Sequence, residues 1–437
     1  MEGNLSVRGK AFAAQKPTFL DVLSDLWAPE ANPDGIVNIG LAENSLMHAE
    51  MERFINSHSQ IDAHALTYGD GFSGSHKLKE AVCHFLNSQF SPWTALCPSH
   101  LAITCGVSNA VECCAWALAD FGDYILVGRP YFNAFKTTFG TRPGIELLEV
   151  TFATTDPFSL AAVQHYEKTY AEAKSKGFRV KALLLCSPHN PLGVFPYLPH
   201  IKVDRLLRVL LGRCYPENVL REYMKFCTRN GLHLICDEIY AMSVWENPRL
   251  PDAPGFKSIL SLNVKDLMDP SMVHVVWGLS KDFGATGLRI GCLVSQANGP
   301  LLEAADGISL YNFPSSLADQ VATTVLLDDK FTRVYIATNR HRLAESYRFA
   351  TDFLRFHHIP YVESNAAFFV WMNLRAALKD RAATDKDILA RLRKEKVYIA
   401  VGTAYAAEEV GWFRMVFAHP RNVLEEGLNR MLRAIQS

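Results

Sequence analysis

Residues 233–240 read His233-Leu234-Ile235-Cys236-Asp237-Glu238-Ile239-Tyr240. Leu234, Ile235 and Cys236 are apolar in succession, the pattern of a strand buried on both faces. A stretch with helical spacing, 216–230, precedes it, and an acid closes it. Working outward, the same unit recurs. Strand-like runs span 100–104, 124–127, 145–151, 181–186, 233–236, 273–277 and 290–294, with helical stretches such as 108–120 and 160–174 between them. This rhythm predicts an α/β fold on a mostly parallel, seven-stranded sheet sandwiched by helices. After Tyr311 the pattern changes: a helical region over 315–357, a β-like piece at 367–372, a helix near 385–395, strand-like runs at 398–401 and 413–417, and a final helix. The reading is a large domain over 45–310 and a smaller α+β domain over 311–437, with residues 1–44 packing on the smaller one.

Composition narrows the function. The 437 residues are 49% hydrophobic and 20% charged, enough apolar surface for a sizeable core. Lys plus Arg number 44 against 45 for Asp plus Glu, so no basic surplus exists to meet a nucleic-acid backbone. No run reaches the ~18 apolar residues of a membrane helix. Residues 1–15 lack the apolar middle of a signal peptide. Ten cysteines occur without a CxxC pair, as suits reduced thiols in a cytoplasmic enzyme. His357 and His358 are adjacent, and no i, i+4 histidine pair reads as a metal site.

Several residues sit where ligands gather in open α/β sheets, beyond the carboxyl ends of strands. Gly69, Gly71 and Gly74 spell GxGxxG, but a polar segment precedes them and no acid follows at the required distance, which points to a Gly-rich loop. The run 100–104 leads into Cys105-Gly106-Val107-Ser108-Asn109 and at once into a helix. Ser108 or Asn109 suits its cap, and its free amides favour an anion such as phosphate; taken alone, these residues read first as a plain βα turn. Asp237 either holds a proton on a heterocyclic nitrogen, with Tyr240 nearby, or caps a helix. Lys281, in Gly278-Leu279-Ser280-Lys281-Asp282-Phe283-Gly284, stands at the end of an apolar strand, where a lowered pKa would suit a Schiff base. Arg289 is a natural phosphate clamp, and Asn190 in Pro188-His189-Asn190-Pro191 caps a strand. Arg414 lies in the apolar run 412–418 and implies an anion, from the protein or a substrate.

Taken in order, Gly106–Asn109, Asn190-Pro191, Asp237 with Tyr240, Ser280-Lys281, Arg289 and Arg414 resemble the class I/II aminotransferase family of fold-type-I pyridoxal-phosphate enzymes. Gly40-Leu41-Ala42-Glu43-Asn44 and residues 365–374 (NAAFFVWMNL) resemble its 1-aminocyclopropane-1-carboxylate synthase branch. The resemblance implies pyridoxal 5'-phosphate bound covalently to Lys281. Asp237 would pair with the ring nitrogen, and Tyr240 and Asn190 with the phenolic oxygen. Phe132 would stack on the ring, with Tyr131 as the alternative. Val107, Ser108, Asn109, Ser280 and Arg289 would surround the phosphate. Arg414 would grip the α-carboxylate of an amino-acid substrate, with Asn190 and Glu43 beside it. Tyr68, or Phe72 in its place, resembles the residue given across a homodimer interface to the neighbour's phosphate.

Three departures stand out. Gly278 replaces the hydroxyl usual three residues before the lysine, a loss of about 1–2 kcal/mol of cofactor binding. The spacing from Tyr68 to Gly74 is irregular for the family. Residues 194–212 look inserted, as a lid or a retained intron. The implied activity is aminotransfer; carbon–sulfur lysis or cyclopropane-forming elimination is the alternative, and a non-catalytic relative the remote one.

Overall fold

The computed structural model describes residues 4–14, 20–192 and 214–437. The inserted stretch 194–212 lies outside them. A short strand, β1 (Val37–Asn38), comes first. Seven strands then form the large sheet: β2 (Leu101–Cys105), β3 (Tyr124–Gly128), β4 (Glu146–Val150), β5 (Val180–Cys186), β6 (His233–Asp237), β7 (Val273–Gly278) and β8 (Ile290–Val294). Their order is β2-β8-β7-β6-β5-β3-β4, and β8 runs antiparallel to both neighbours while the other pairings are parallel.

Successive strand residues point to opposite faces, and both faces are covered. Leu183, Leu185, Leu234, Val275 and Trp277 pack into one core with helices 76–90, 217–230 and 316–327. Ala182, Leu184, Ile235, Val276 and Leu293 pack into another with helices 107–118, 134–140 and 299–309. This double burial is why the strands are apolar on consecutive positions.

A four-stranded sheet, order β12-β13-β10-β9, is built from β9 (Tyr361–Val362), β10 (Phe369–Asn373), β12 (Ala400–Val401) and β13 (Trp412–Val416). The run expected as one strand over 398–401 divides. β11 (Val397–Tyr398) pairs in parallel with β1, while β12 joins β13. The helical region over 315–357 also divides, into 316–327 and 329–356. Asp328 causes the break, because its carboxylate leaves the helical conformation to cap Phe331 N at 2.8 Å.

Three glycines let the large sheet's edge close on a helix start. Gly278 and Gly291 face each other across β7 and β8. A Cβ on Gly291 would lie 2.5 Å from Gly106 C and 2.7 Å from Val107 N; one on Gly278 would lie 2.6 Å from Ile290 O. There is no room for a hydroxyl-bearing side chain at 278, which accounts for the glycine there. Gly291→Ala is expected to cost about 1–3 kcal/mol through backbone displacement, read as a thermal midpoint several degrees lower. Gly307→Ala, where a Cβ meets nothing within 4 Å, should not lower it.

Candidate active site

The carboxyl ends of β5, β6 and β7 and the start of helix 107–118 enclose about 630 Å³, part of it open to solvent. Val107, Ser108, Phe132, Asn190, Asp237, Tyr240, Ser280, Lys281 and Arg289 line this cavity. Each reaches it because a strand or helix ends there.

Asp237 closes β6 and is 4% exposed. Among the described residues its carboxylate accepts one hydrogen bond, from Ile239 N at 3.2 Å. Burial pushes its pKa up to about 7, against that hydrogen bond and the pull of Lys281. Lys281 lies on a single helical turn after β7. Its Nζ donates to Ala42 O at 2.5 Å. Burial lowers its pKa to about 8, with Arg414 and Arg289 acting in the same direction and Glu43 and Asp237 against it. Glu43 is thus close enough to be felt at the amine.

Asn190 and Tyr240 are buried side by side, with Asn190 Nδ2 donating to the Tyr240 hydroxyl at 3.3 Å. Asn190 Oδ1 accepts from Arg414 Nη1 at 3.1 Å. Arg414, 2% exposed on β13, also donates from Nη2 to Gly40 O at 2.7 Å. Neither partner is charged, and among the described residues Nε has none. Its guanidinium lies 4.3 Å from the ring centre of Phe369 and 4.7 Å from that of Tyr405.

At the other end of the cavity, helix 107–118 starts against Arg289. The arginine donates to Thr286 O at 3.2 Å and Cys105 O at 3.3 Å, and a Cβ on Gly106 would lie 2.5 Å from its Nη2. Free amides at a helix start, beside a guanidinium that among the described residues is held only by carbonyls, suit an anion.

Three nominated residues fall elsewhere or are decided by a neighbour. Asn109 turns its carbonyl oxygen to Cys105 N at 3.1 Å and is absent from the lining. Tyr131 points away and donates to Glu149 at 2.7 Å, so Phe132 is the aromatic facing the cavity. Tyr68 is 76% exposed beside Phe72 and Phe313, in a separate groove with Gly69 and Gly74. A 3-10 turn, Ala63–Leu66, precedes these glycines, which form a loop. Thr286, which lines the cavity and donates to Ser280 O at 3.0 Å, was not anticipated; its signal was a hydroxyl between Lys281 and Arg289 in a Gly-flanked loop.

Residues 37–203 and 211–431 match the family described as aminotransferase class I and II. The chain belongs to this family. It is 32% identical over 404 residues to the probable aminotransferase aclI of Aspergillus oryzae, covering 90% of each chain. It is 31% identical over 422 residues to 1-aminocyclopropane-1-carboxylate synthase-like protein 1 of Bos taurus, covering 94% of this chain and 78% of that one. A double mutant of Thermus thermophilus aspartate aminotransferase superposes with a TM-score of 0.70 at 20% identity, over 99% of this chain and 100% of that one. The fold is fold type I, and the protein is a pyridoxal-phosphate-dependent enzyme of aminotransferase type. The family match breaks between 203 and 211, inside the inserted stretch.

The residues present fit that cofactor. Among the described residues a buried carboxylate has no cation bonded to it and a buried guanidinium has an unpartnered Nε, and the helix start with Arg289, suited to an anion, lines the same cavity as Asp237.

In the cofactor-free protein Asp237 binds its proton more tightly folded than unfolded. Its stabilising effect is complete below its ordinary pKa of 3.8 and is lost as pH rises through about 7. Asp237→Asn should therefore gain on the native sequence across that window, by on the order of 2–4 kcal/mol at pH 8. Urea unfolding of both cofactor-free proteins at pH 4, 6 and 8 measures the gap. An unchanging gap would contradict the buried, unpaired carboxylate.

Proposed function

We propose that the protein transfers an amino group from an α-amino acid to a 2-oxo acid, with the residues of this cavity dividing the work. One observation carries the reading: Lys281 and Asp237 line one cavity, Arg414 is buried behind it on the lining residue Asn190, and none of the three is in an ion pair among the described residues. Unpaired buried charge is costly and is retained where a ligand completes it.

Bound pyridoxal phosphate supplies an aldehyde and a ring that withdraws electrons from the substrate's α-carbon. Lys281 Nζ takes and returns the α-proton, and its lowered pKa keeps a useful share of the amine neutral near pH 8. Asp237 holds the proton on the ring nitrogen. Tyr240 keeps its hydroxyl proton, because burial raises its pKa well above 10, and with Asn190 it donates to the phenolic oxygen. Phe132 covers the ring face. The helix start at Val107 and Ser108, Ser280 and Arg289 hold the phosphate. Arg414, whose guanidinium bonds the lining residue Asn190, would grip the α-carboxylate, with Glu43 and Asn190 beside the substrate.

The exposure of Tyr68, outside its own chain's cavity, supports a homodimer in which it reaches the partner's phosphate. A second outcome, elimination from the substrate's side chain as in a carbon–sulfur lyase or a cyclopropane-forming synthase, is favoured by two observations. The relative from Bos taurus is named synthase-like, and Glu43 is felt at Lys281. Both outcomes begin with the same proton removal.

The purified protein with pyridoxal phosphate should show a visible-edge absorbance band that borohydride fixes covalently, and Lys281→Ala should lose that fixation. Arg414→Lys should raise KM for the amino donor by about 10–100-fold, since a point charge replaces a two-pronged clamp. Incubation with amino donors plus 2-oxo acids, against cysteine conjugates, separates new amino acid from released thiol and ammonia. No band in the native protein would end this reading.

A further inference from the structure

Beside Lys281 lies a carboxylate that no step above uses. Asp282 is fully buried. Its Oδ2 accepts from Met242 N at 3.0 Å and from Trp277 Nε1 at 3.1 Å, and its Oδ1 accepts from Ser243 Oγ at 2.7 Å. Met242 and Ser243 follow Tyr240 by two and three residues, and Trp277 lies on β7 four residues before Lys281. One side chain thus ties the turn that carries Tyr240 to the turn that carries Lys281.

We propose that Asp282 is a positioning residue that sets the placement of Lys281 relative to Tyr240, and through it the alignment of the amine with the bound cofactor. The inference rests on the pyridoxal-phosphate reading above.

Three considerations support it. First, two N–H donors, Met242 N and Trp277 Nε1, converge on Oδ2, and the Ser243 hydroxyl donates to Oδ1. An ionised carboxylate accepts all three in charge-assisted bonds; a carboxamide offers only neutral ones and requires the serine hydroxyl to turn and accept. Second, among the described residues the carboxylate bonds to no cation. Arg340, the charged group facing it from helix 329–356, donates instead to Met242 O at 2.8 Å. Burial pushes the Asp282 pKa up to about 6, against its three hydrogen bonds and Arg340. A buried, unpaired carboxylate is a poor device for stability alone, because apolar packing fills such a site at lower cost. Third, the same helix braces both turns from behind. Besides the Arg340 bond to Met242, Tyr335 donates to Phe283 O at 2.7 Å and Asn339 to Asp282 O at 3.4 Å. The carboxylate then fixes the lateral offset between two turns already held in depth.

The test uses the holoenzyme and two variants, Asp282→Asn and Ser243→Ala. Ser243→Ala removes one donor and leaves the carboxylate in place, so it stays informative if Asp282→Asn does not fold. Both should keep the visible absorbance band. Asp282→Asn should shift the pH midpoint of that band by about half a unit or more, weaken pyridoxal-phosphate binding to the cofactor-free protein about tenfold, and lower kcat 10–100-fold with KM changed less than threefold. Ser243→Ala should move the same quantities in the same direction, with kcat lowered about threefold. Variants that lose thermal stability but keep the native midpoint, affinity and kcat would show a merely structural role and overturn the inference. Native protein with no band at all would overturn the underlying reading, and this one with it.

Discussion

Asp237 sits at the end of a strand buried on both faces, 4% exposed, with a backbone amide as its one hydrogen-bond donor among the described residues. A carboxylate so placed is the costly element around which the cavity is arranged. The chain shows elsewhere how such a cost is removed. Asp123 is equally buried, yet Arg179 Nε bonds it at 2.5 Å and Lys181 lies 3.7 Å away. Burial pushes the Asp123 pKa up, but the Asp120 amide and these cations outweigh it and leave the pKa lowered. Asp237 moves the opposite way for want of such neighbours. The difference between the two acids is completion: one is satisfied within the chain, the other is left for a ligand.

The same contrast separates Arg414 from Arg430. Arg430, also buried, bonds Glu426 at 2.6 Å and the carbonyls of Gly35 and Pro33. Arg414 bonds two uncharged oxygens, stacks between two rings and keeps Nε free. Asp237 lines the cavity at the carboxyl ends of the strands, where backbone direction already favours a ligand, and Arg414 adjoins it through Asn190.

Much of this was legible before folding, because strands buried on both faces leave uninterrupted apolar runs and polar residues at their ends stand out. Asp237 and Lys281 stood out in this way, and Arg414 did so as a charge in the middle of the apolar run that forms β13. The remainder was hidden for identifiable reasons. The acceptors for Lys281 and Arg414 are the carbonyls of Ala42 and Gly40, and a carbonyl has no sequence signature. Asn109 suits a helix start whether it faces a ligand or its own backbone, and the bond to Cys105 N decided between them. Tyr131 and Phe132 are adjacent, and Glu149, seventeen and eighteen residues away in sequence, drew the hydroxyl aside. The division of 397–401 between two sheets depends on pairing with β1 over three hundred residues away, which local pattern does not contain.

That distant pairing also bears on how the site is held. β1 fixes residues 37–38 against β11, and the chain then bends at Gly40 and Leu41, where Glu43 N donates to Leu41 O at 2.8 Å. Gly40 O takes the guanidinium from the four-stranded sheet, Ala42 O takes the amine from the large one, and Asn44 Nδ2 donates to Asn339 at 2.9 Å on the long helix. Gly284, three residues after Lys281, leaves no room for a Cβ, which would lie 2.5 Å from Asn44 O. The segment therefore acts as a backbone spacer between the group that would hold a carboxylate and the group that would move a proton. Its contacts to the two cations are main-chain oxygens, while the Asn44 side chain and the absence of a Cβ at Gly40, which would lie 2.7 Å from the Tyr398 ring, hold the segment in place, so displacing it withdraws acceptors from both cations at once.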